Sequence, residues 1–478
     1  MGKSLKTIAI IAVAVFAPYA AASLGLTGFA ATAFSFVLQT AASAIFAEKP
    51  KQGGGAGVQD SGFMLNKQGN VSAIPIVYGE RRIGGTRVYV QTTDASGNTS
   101  GTEYLHLVIA FAQGGTRGDG TDSIDEVTKV FFNNEEVYDF GTSSFSGSFG
   151  TGNTTIRIWH GKNDQTVASP DQSVGSFNLS SEWTSNHRMR GVAYAYVICK
   201  YDRDIFPGAP TVFFDVKGKR IQAVNNLGSF VNTAAEMSNP ANILYDYLTD
   251  TRFGKGIAAA DIDLTSFQTA RTWASGAAGV VFDCAIDTAD TLFNNTQKIL
   301  SCSNMNLVYA NGKYTLQPVK QESFSGAFTF TTANILGQWT ISLGNKRNRF
   351  NRLKVNFFNP ALDWQPDSVV VENATYLTED SDVLNEKTID LHLIGDATLA
   401  EKIGTYYLNS SRYQTIVSFK ASHEALKLSV GDPVYITHDV PNWTNEKFRV
   451  NSITLMPDST VDVVLEQYAP DSVYLENN

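Results

Sequence analysis

The sequence predicts a mainly β protein with an α-helical or mixed insert in its middle and a hydrophobic helical segment at its N-terminus. Three observations carry this. Short apolar and aromatic runs bounded by Gly, Asn and Asp recur on both sides of the middle, in a chain with 29 Phe, 19 Tyr and 39 Gly. Between them stand stretches with capping residues and apolar positions at helical offsets. Ahead of everything, Thr7 to Ala47 is apolar, interrupted only by small or weakly polar residues. At 478 residues the chain is too long for one core. Composition divides it into a hydrophobic segment at 1–50, a Gly-rich linker at 51–62, a β-domain at 63–225, a helical or mixed insert at 226–325 and a second β-domain at 326–478.

Hydrophobic content of 43% and charged content of 17% describe a globular chain. A formal net charge of -9 lacks the basic footprint of a nucleic-acid binder, so no specific nucleic-acid binding is expected. Cys199, Cys284 and Cys302 are odd in number and have no C-x-x-C spacing, which supports neither a disulfide framework nor a zinc site. Buried free thiols are expected.

In the N-terminal run, Lys3 and Lys6 precede the apolar residues, and Ala20-Ala21-Ala22 imitates a signal-peptide end. Leu24 to Ala47 alone is long enough to cross a hydrocarbon layer of ~30 Å. A hydrophobic bundle inside an oligomer and ordinary core are the other readings. Pro18 and the Gly25/Gly28 pair split the run into two pieces. Its large side chains include Phe16, Phe29, Phe34, Phe36 and Phe46. Gly53 to Gly57 then reads as a tether.

The strands follow in order. Val71 to Glu80 and Arg81 to Val88 read as two short strands, and Tyr104 to Ala112 as one buried on both faces. Asp122 to Tyr138 alternates and turns at Asn133-Asn134, a hairpin. Its carboxylates (Asp119, Asp122, Asp125, Glu126, Glu135, Glu136) lack EF-hand spacing and are expected to be solvated turn charges. Ile156 to Gly161, Arg190 to Val197 and Pro210 to Gly218 add further strands, and His160 beside Trp159 is expected to pack.

Asn239 and Pro240 open a capped helix, with Ile243, Leu244, Tyr247 and Leu248 on one face and Gly254 and Gly256 expected to stop it. Asp263 and Asp287 are the expected caps of two more helices. Leu307 to Leu316 is a hairpin turning at Asn311-Gly312. Arg347 to Asn359 is a strand whose basic cluster (Lys346, Arg347, Arg349, Arg352, Lys354) is expected at a subunit contact or a solvated edge. Gly395 to Arg412 reads as a helix, followed by strands around the turn at Gly431-Asp432.

The wording of these stretches carries more than their periodicity. Asn239 to Ile257 reads N-P-A-x-I-L-Y-D-x-L-T-x-x-R-F-G-x-G-I, in which Pro240, Leu244, Tyr245, Asp246, Arg252, Gly254 and Gly256 are the motif positions. With P-x-V-Y-G-x-x-R-x-x-G at Pro75, R-G-x-A-Y at Arg190, P-x-x-x-F-x-V-K-G at Pro210 and L-x-x-G-D-x-V around Gly431 and Asp432, it resembles the phage tail tip hub proteins of the lambda-like tip attachment (host specificity J) family. The likeness covers roughly residues 63 to 474.

It implies tandem β-barrel hub domains, the first at 63–225 and the second at 326–478, around the helical insert. It also implies a homotrimer closing the distal tail tube. The implied partners are a hexameric distal tail protein, the tape measure protein's C-terminal end, and a tail fibre or receptor-binding protein. The apolar segment is then expected in the tail lumen, entering the host membrane during ejection. Longer relatives continue past the position of Tyr474 into receptor-binding regions, so recognition is expected to fall to another protein.

Chemistry is not expected. His106, His160, His187, His392, His423 and His438 form no H-E-x-x-H, and no G-x-S-x-G or phosphate-binding G-x-x-x-x-G-K-[ST] occurs. No catalytic, cofactor or metal residues are assigned. The rival readings are a tail-tip cell-wall hydrolase and a membrane-anchored β-rich surface protein.

Overall fold

The computed structural model describes residues 11–14, 66–68, 72–116, 120–206, 208–310, 312–344 and 348–477. The molecule is mainly β, with several sheets and a helical unit between them.

The first unit is two packed sheets. One has the strand order Gln172–Val174, Thr154–His160, Val192–Lys200, Tyr104–Gln113, Gly85–Thr93, Asn66–Gln68. The other runs Glu80–Ile83, Val212–Lys219, Ile124–Phe132, Glu135–Asp139, Ser144–Phe145. Alternate residues from both sheets, among them Leu107, Ile109, Phe111, Val127, Val130 and Phe214, make one core. Phe111 and Phe214 stack across it with centroids 4.7 Å apart. The outer face of the larger sheet is also covered, because Trp159, Tyr194 and Tyr196 pack under Val167 and Trp183 from the long connection after Gly161. The run Tyr104–Gln113 is therefore buried on both faces, as its continuous apolar pattern predicts.

The helical unit contains α1 (Pro240–Thr249), α2 (Leu264–Trp273), α3 (Leu292–Ser303) and α4 (Ala397–Ser410). Asn239 caps α1 by accepting from Ala241 N at 3.0 Å, and Asp263 caps α2. Two expectations are corrected. The cap of α3 is Thr291, whose hydroxyl accepts from Asn294 N, while Asp287 accepts from Ala289 N in the preceding turn. The end of α1 falls at Asp250, four residues before Gly254. Asp250 leaves the helical region and its carboxylate takes the amides of Arg252 and Phe253. The core of this unit crosses residue 325. It joins α1 to α3 with a three-stranded sheet, Gln365–Glu372, Arg352–Asn359 and Glu386–Asp390, and with α4. Gly404 lets α4 lie close on that sheet, since a Cβ there meets Val355 Cγ2 at 2.7 Å.

The third unit is a half-barrel of Phe328–Phe330, Pro433–His438, Trp443–Leu455, Val461–Gln467, Ile416–Ala421 and Ile335–Ser342 around Phe330, Phe419, Val434 and Val463. Among the described strands, Ile335–Ser342 has a neighbour on one side only. Trp443–Leu455 continues the sheet through Ile11–Ala14 to the hairpin Met305–Ala310 and Lys313–Pro318. The helical expectation for the N-terminal run is thus corrected at Ile11–Ala14. Phe16, Phe29, Phe34, Phe36, Phe46 and the Gly53 to Gly57 tether lie outside the described residues. Among the described residues no helix is long and apolar enough to cross a membrane.

Candidate functional site

The motif helix is where the units meet. Pro240 occupies the first turn of α1, and Leu244 and Tyr245 are buried in the helical core, Tyr245 edge-on to Phe267 at 6.0 Å. Asp246 turns the other way, toward the sandwich. Its carboxylate accepts from Lys219 Nζ at 3.0 and 2.8 Å and from the Tyr78 hydroxyl at 2.6 Å. Lys219 also reaches Asp250 Oδ2 at 3.0 Å. The three charged side chains are only 3%, 12% and 8% exposed for Lys219, Asp246 and Asp250.

Burial governs the electrostatics here. It raises the Asp246 carboxyl above the usual carboxylate range, against the pull of Lys219. Burial and the Asp246 charge push the Tyr78 phenol far up. Burial opposes the Lys219 charge, and the two carboxylates outweigh it, so the ammonium is held protonated.

The remaining motif positions hold the same joint. Arg252 Nη1 donates to Gly191 O of the sandwich at 2.7 Å. Gly191 (φ +74°) leaves room for it, because a Cβ there lies 2.3 Å from Arg252 Nη1. At Gly254 a Cβ would fall 2.0 Å from Tyr247 O, so this glycine tucks the chain back on α1. Gly256 has φ +64°, which glycine adopts without strain.

A second charged contact lies along the same seam. Arg82 makes a two-pronged bond to Asp215 at 2.6 and 3.0 Å and donates to Asp363 Oδ1 at 2.7 Å, with its guanidinium 3.7 Å over the Phe131 ring. Arg81 stacks on Phe358 at 3.9 Å. A small pocket at this seam is lined by Arg81, Asp287, Asn295, Lys298, Phe358 and His392.

Gly431 and Asp432 are not part of this joint. They form the turn before Pro433, where Asp432 accepts from Ser429 N at 2.7 Å. Gln317 of the hairpin donates to Val430 O. These residues tie the half-barrel to the hairpin.

Sequence reasoning found Asp246 and Arg252 and missed Lys219, Tyr78, Asp250 and Arg82. Lys219 stands one residue beyond the V-K-G motif, and nothing in its spacing names a partner on α1. The expectation of solvated carboxylates is corrected at Asp122, which is buried and accepts from Thr116 N at 2.7 Å. Asp125, Glu126 and Glu136 pair with Arg220, Lys217 and Lys129. In the basic cluster Arg352 lies near Glu386 and Glu372, and Lys346 and Arg347 lie outside the described residues.

Chemically the joint is a fastener between units. Among the described residues no group of three His, Cys, Asp or Glu is placed to hold a metal. His106 lies between Thr93 and Tyr196, His160 meets Gln172, His187 stacks on Trp183 and His438 on Trp339. The three cysteines are free and buried.

A family model described as putative phage tail protein matches residues 296–453. The curated relative baseplate hub protein pb3 of Escherichia phage T5 is 23% identical over 462 residues, covering 83% of this chain and 48% of its own. The chain therefore spans about half the length of that relative. Among solved structures, a chain of the native gene transfer agent virion superposes with a TM-score of 0.64 at 14% identity, over 95% of this chain and 97% of that one, so the two share a fold. The 43 kDa tail protein of prophage MuSo2 from Shewanella oneidensis has a TM-score of 0.32, too low to bear on this chain. The family match and the curated relative support a structural role in a phage tail or baseplate hub.

Proposed function

We propose that the chain is the hub subunit at the distal end of a long phage tail, of the lambda-like tip attachment kind. Three copies ring and close the tube and open it for genome ejection. The observation that carries this reading is the similarity to a baseplate hub protein along most of the chain. The buried fastener supports it, since a gate subject to force needs its units locked in one orientation. Work in such a protein comes from a packing change between copies and not from turnover of a substrate.

In this reading the distal tail protein lies above, a fibre or receptor-binding protein below, and the tape measure protein's C-terminal end in the lumen. The N-terminal apolar segment shares that lumen until it enters the host membrane.

Cryo-electron microscopy of the intact tail tests the proposal. The expected result is three copies around the axis at the distal end. Finding the chain as a monomer elsewhere in the particle, or in membranes of uninfected cells, overturns it. Lysis of purified peptidoglycan by the isolated protein overturns the non-enzymatic part.

A further inference from the structure

We propose that Lys219 and Asp246 condense into an intramolecular isopeptide bond, joining the last long strand of the sandwich covalently to α1. Spontaneous amide formation needs an amine, a carboxyl group, a group that moves protons, and a donor for the oxyanion, held together away from water. All four are present within hydrogen-bond distance.

Lys219 Nζ is the amine, lying 3.0 and 2.8 Å from the Asp246 oxygens. Asp250 Oδ2, 3.0 Å from the same nitrogen, is the proton carrier. The Tyr78 hydroxyl, 2.6 Å from Asp246 Oδ2, is the oxyanion donor. The Phe253 ring, 5.0 Å from Nζ, walls the group, and the Lys219, Asp246 and Asp250 side chains are only 3%, 12% and 8% exposed. In water the ion pair is unreactive because the nitrogen lone pair is protonated and the carboxylate is a poor electrophile. Burial favours the neutral acid at Asp246, while the two carboxylates keep the Lys219 ammonium as the resting form, so the step starts from the minor neutral pair and is slow.

The step balances without any outside reactant. Lys219 passes one proton to Asp246 Oδ1, leaving a neutral amine beside a neutral acid. The nitrogen lone pair attacks Asp246 Cγ, the C–N bond forms, and the C=O electron pair moves onto Oδ2, which accepts from Tyr78. The surplus proton on nitrogen goes to Asp250. When the C=O bond re-forms, the Cγ–Oδ1 bond breaks, and the departing hydroxyl takes that proton back from Asp250. One ammonium and one carboxylate become one amide and one water. Asp250 returns to its starting state and so acts as a catalytic residue. The bond closes a loop across the boundary between two units, so pulling on either one is borne by a covalent bond.

Intact-mass measurement of the denatured full-length protein, after incubation for days at neutral pH, tests this directly. The expected mass is one water less than the sequence requires. Proteolysis is expected to give a branched peptide joining the segments that contain Lys219 and Asp246. A full mass with linear peptides only overturns the proposal, as does a water loss confined to one linear peptide, which marks a succinimide. Lys219→Arg keeps the cation but is expected to show the full mass. Asp250→Asn keeps both bonding partners and is expected to form the branched peptide at least tenfold more slowly. Unchanged formation in Asp250→Asn overturns the role given to Asp250.

Discussion

The helical unit has two seams, and they are built from different materials. Toward the sandwich it uses buried charges in fixed geometry: Lys219 with Asp246 and Asp250, Arg82 with Asp215 and Asp363, and Arg252 on Gly191 O. Toward the half-barrel it uses mostly rings, packed around one buried cation. Tyr468 and Tyr474 pack with Phe324, Tyr406 and Tyr413, and Arg449 lies 5.4 Å and 5.6 Å over the two tyrosine rings. A buried ion pair is satisfied in one arrangement and costly in every other. Aromatic contacts lose little when rings slide. The first seam is therefore expected to be the stiffer joint and the second the easier one to repack.

Substitutions at the two seams test that contrast. Lys219→Met leaves two buried carboxylates without their cation, and about 3–5 kcal/mol of stability is expected to be lost in chemical denaturation. Tyr468→Phe keeps the ring in place and loses the 2.7 Å bond that the hydroxyl accepts from Glu322 N. Its expected cost is smaller, about 1 kcal/mol. Equal losses would remove the distinction between the seams.

Mild acid probes the sandwich through His106. Burial drives the His106 pKa down from 6.5 to about 4. The unfolded chain binds a proton in that window and the folded chain does not. The contribution is therefore complete above pH 6.5 and lost as pH falls toward 4. Hydrogen exchange in Tyr104–Gln113 is expected to quicken over that range, and His106→Gln to flatten the response. Removing the α1 cap with Asn239→Ala should lower the denaturation midpoint by the equivalent of about 1 kcal/mol. The smallest effect is expected at Arg352→Ala, within about 0.5 kcal/mol, because the Glu372 and Glu386 side chains are 70% and 43% exposed.

Local chemistry was legible from residues alone. The Asn239 and Asp263 caps, the doubly buried strand at Tyr104–Gln113 and the hairpin at Met305–Pro318 each depend on neighbours a few positions away. The α3 cap was misplaced because Asp287, Asp290 and Thr291 all carry capping oxygens within one turn, and spacing does not rank them. The joint was half legible. Asp246 stands in a motif, while its partner Lys219 lies 27 positions earlier in a strand of another unit. Pairings of that kind follow from tertiary packing and leave no periodicity. The same reason hid the core that runs from α1 to the strands beyond residue 350, since each of its segments reads as an ordinary amphipathic piece.

The strand Ile335–Ser342 carries a consequence for timing. Its pairing with Ile416–Ala421 shifts register between Leu336 and Trp339, where Gly337 has φ +73°. Only the short stretch Trp339–Ser342 remains regular enough to recruit another strand. So brief a template gives too little hold to capture a stray chain during synthesis.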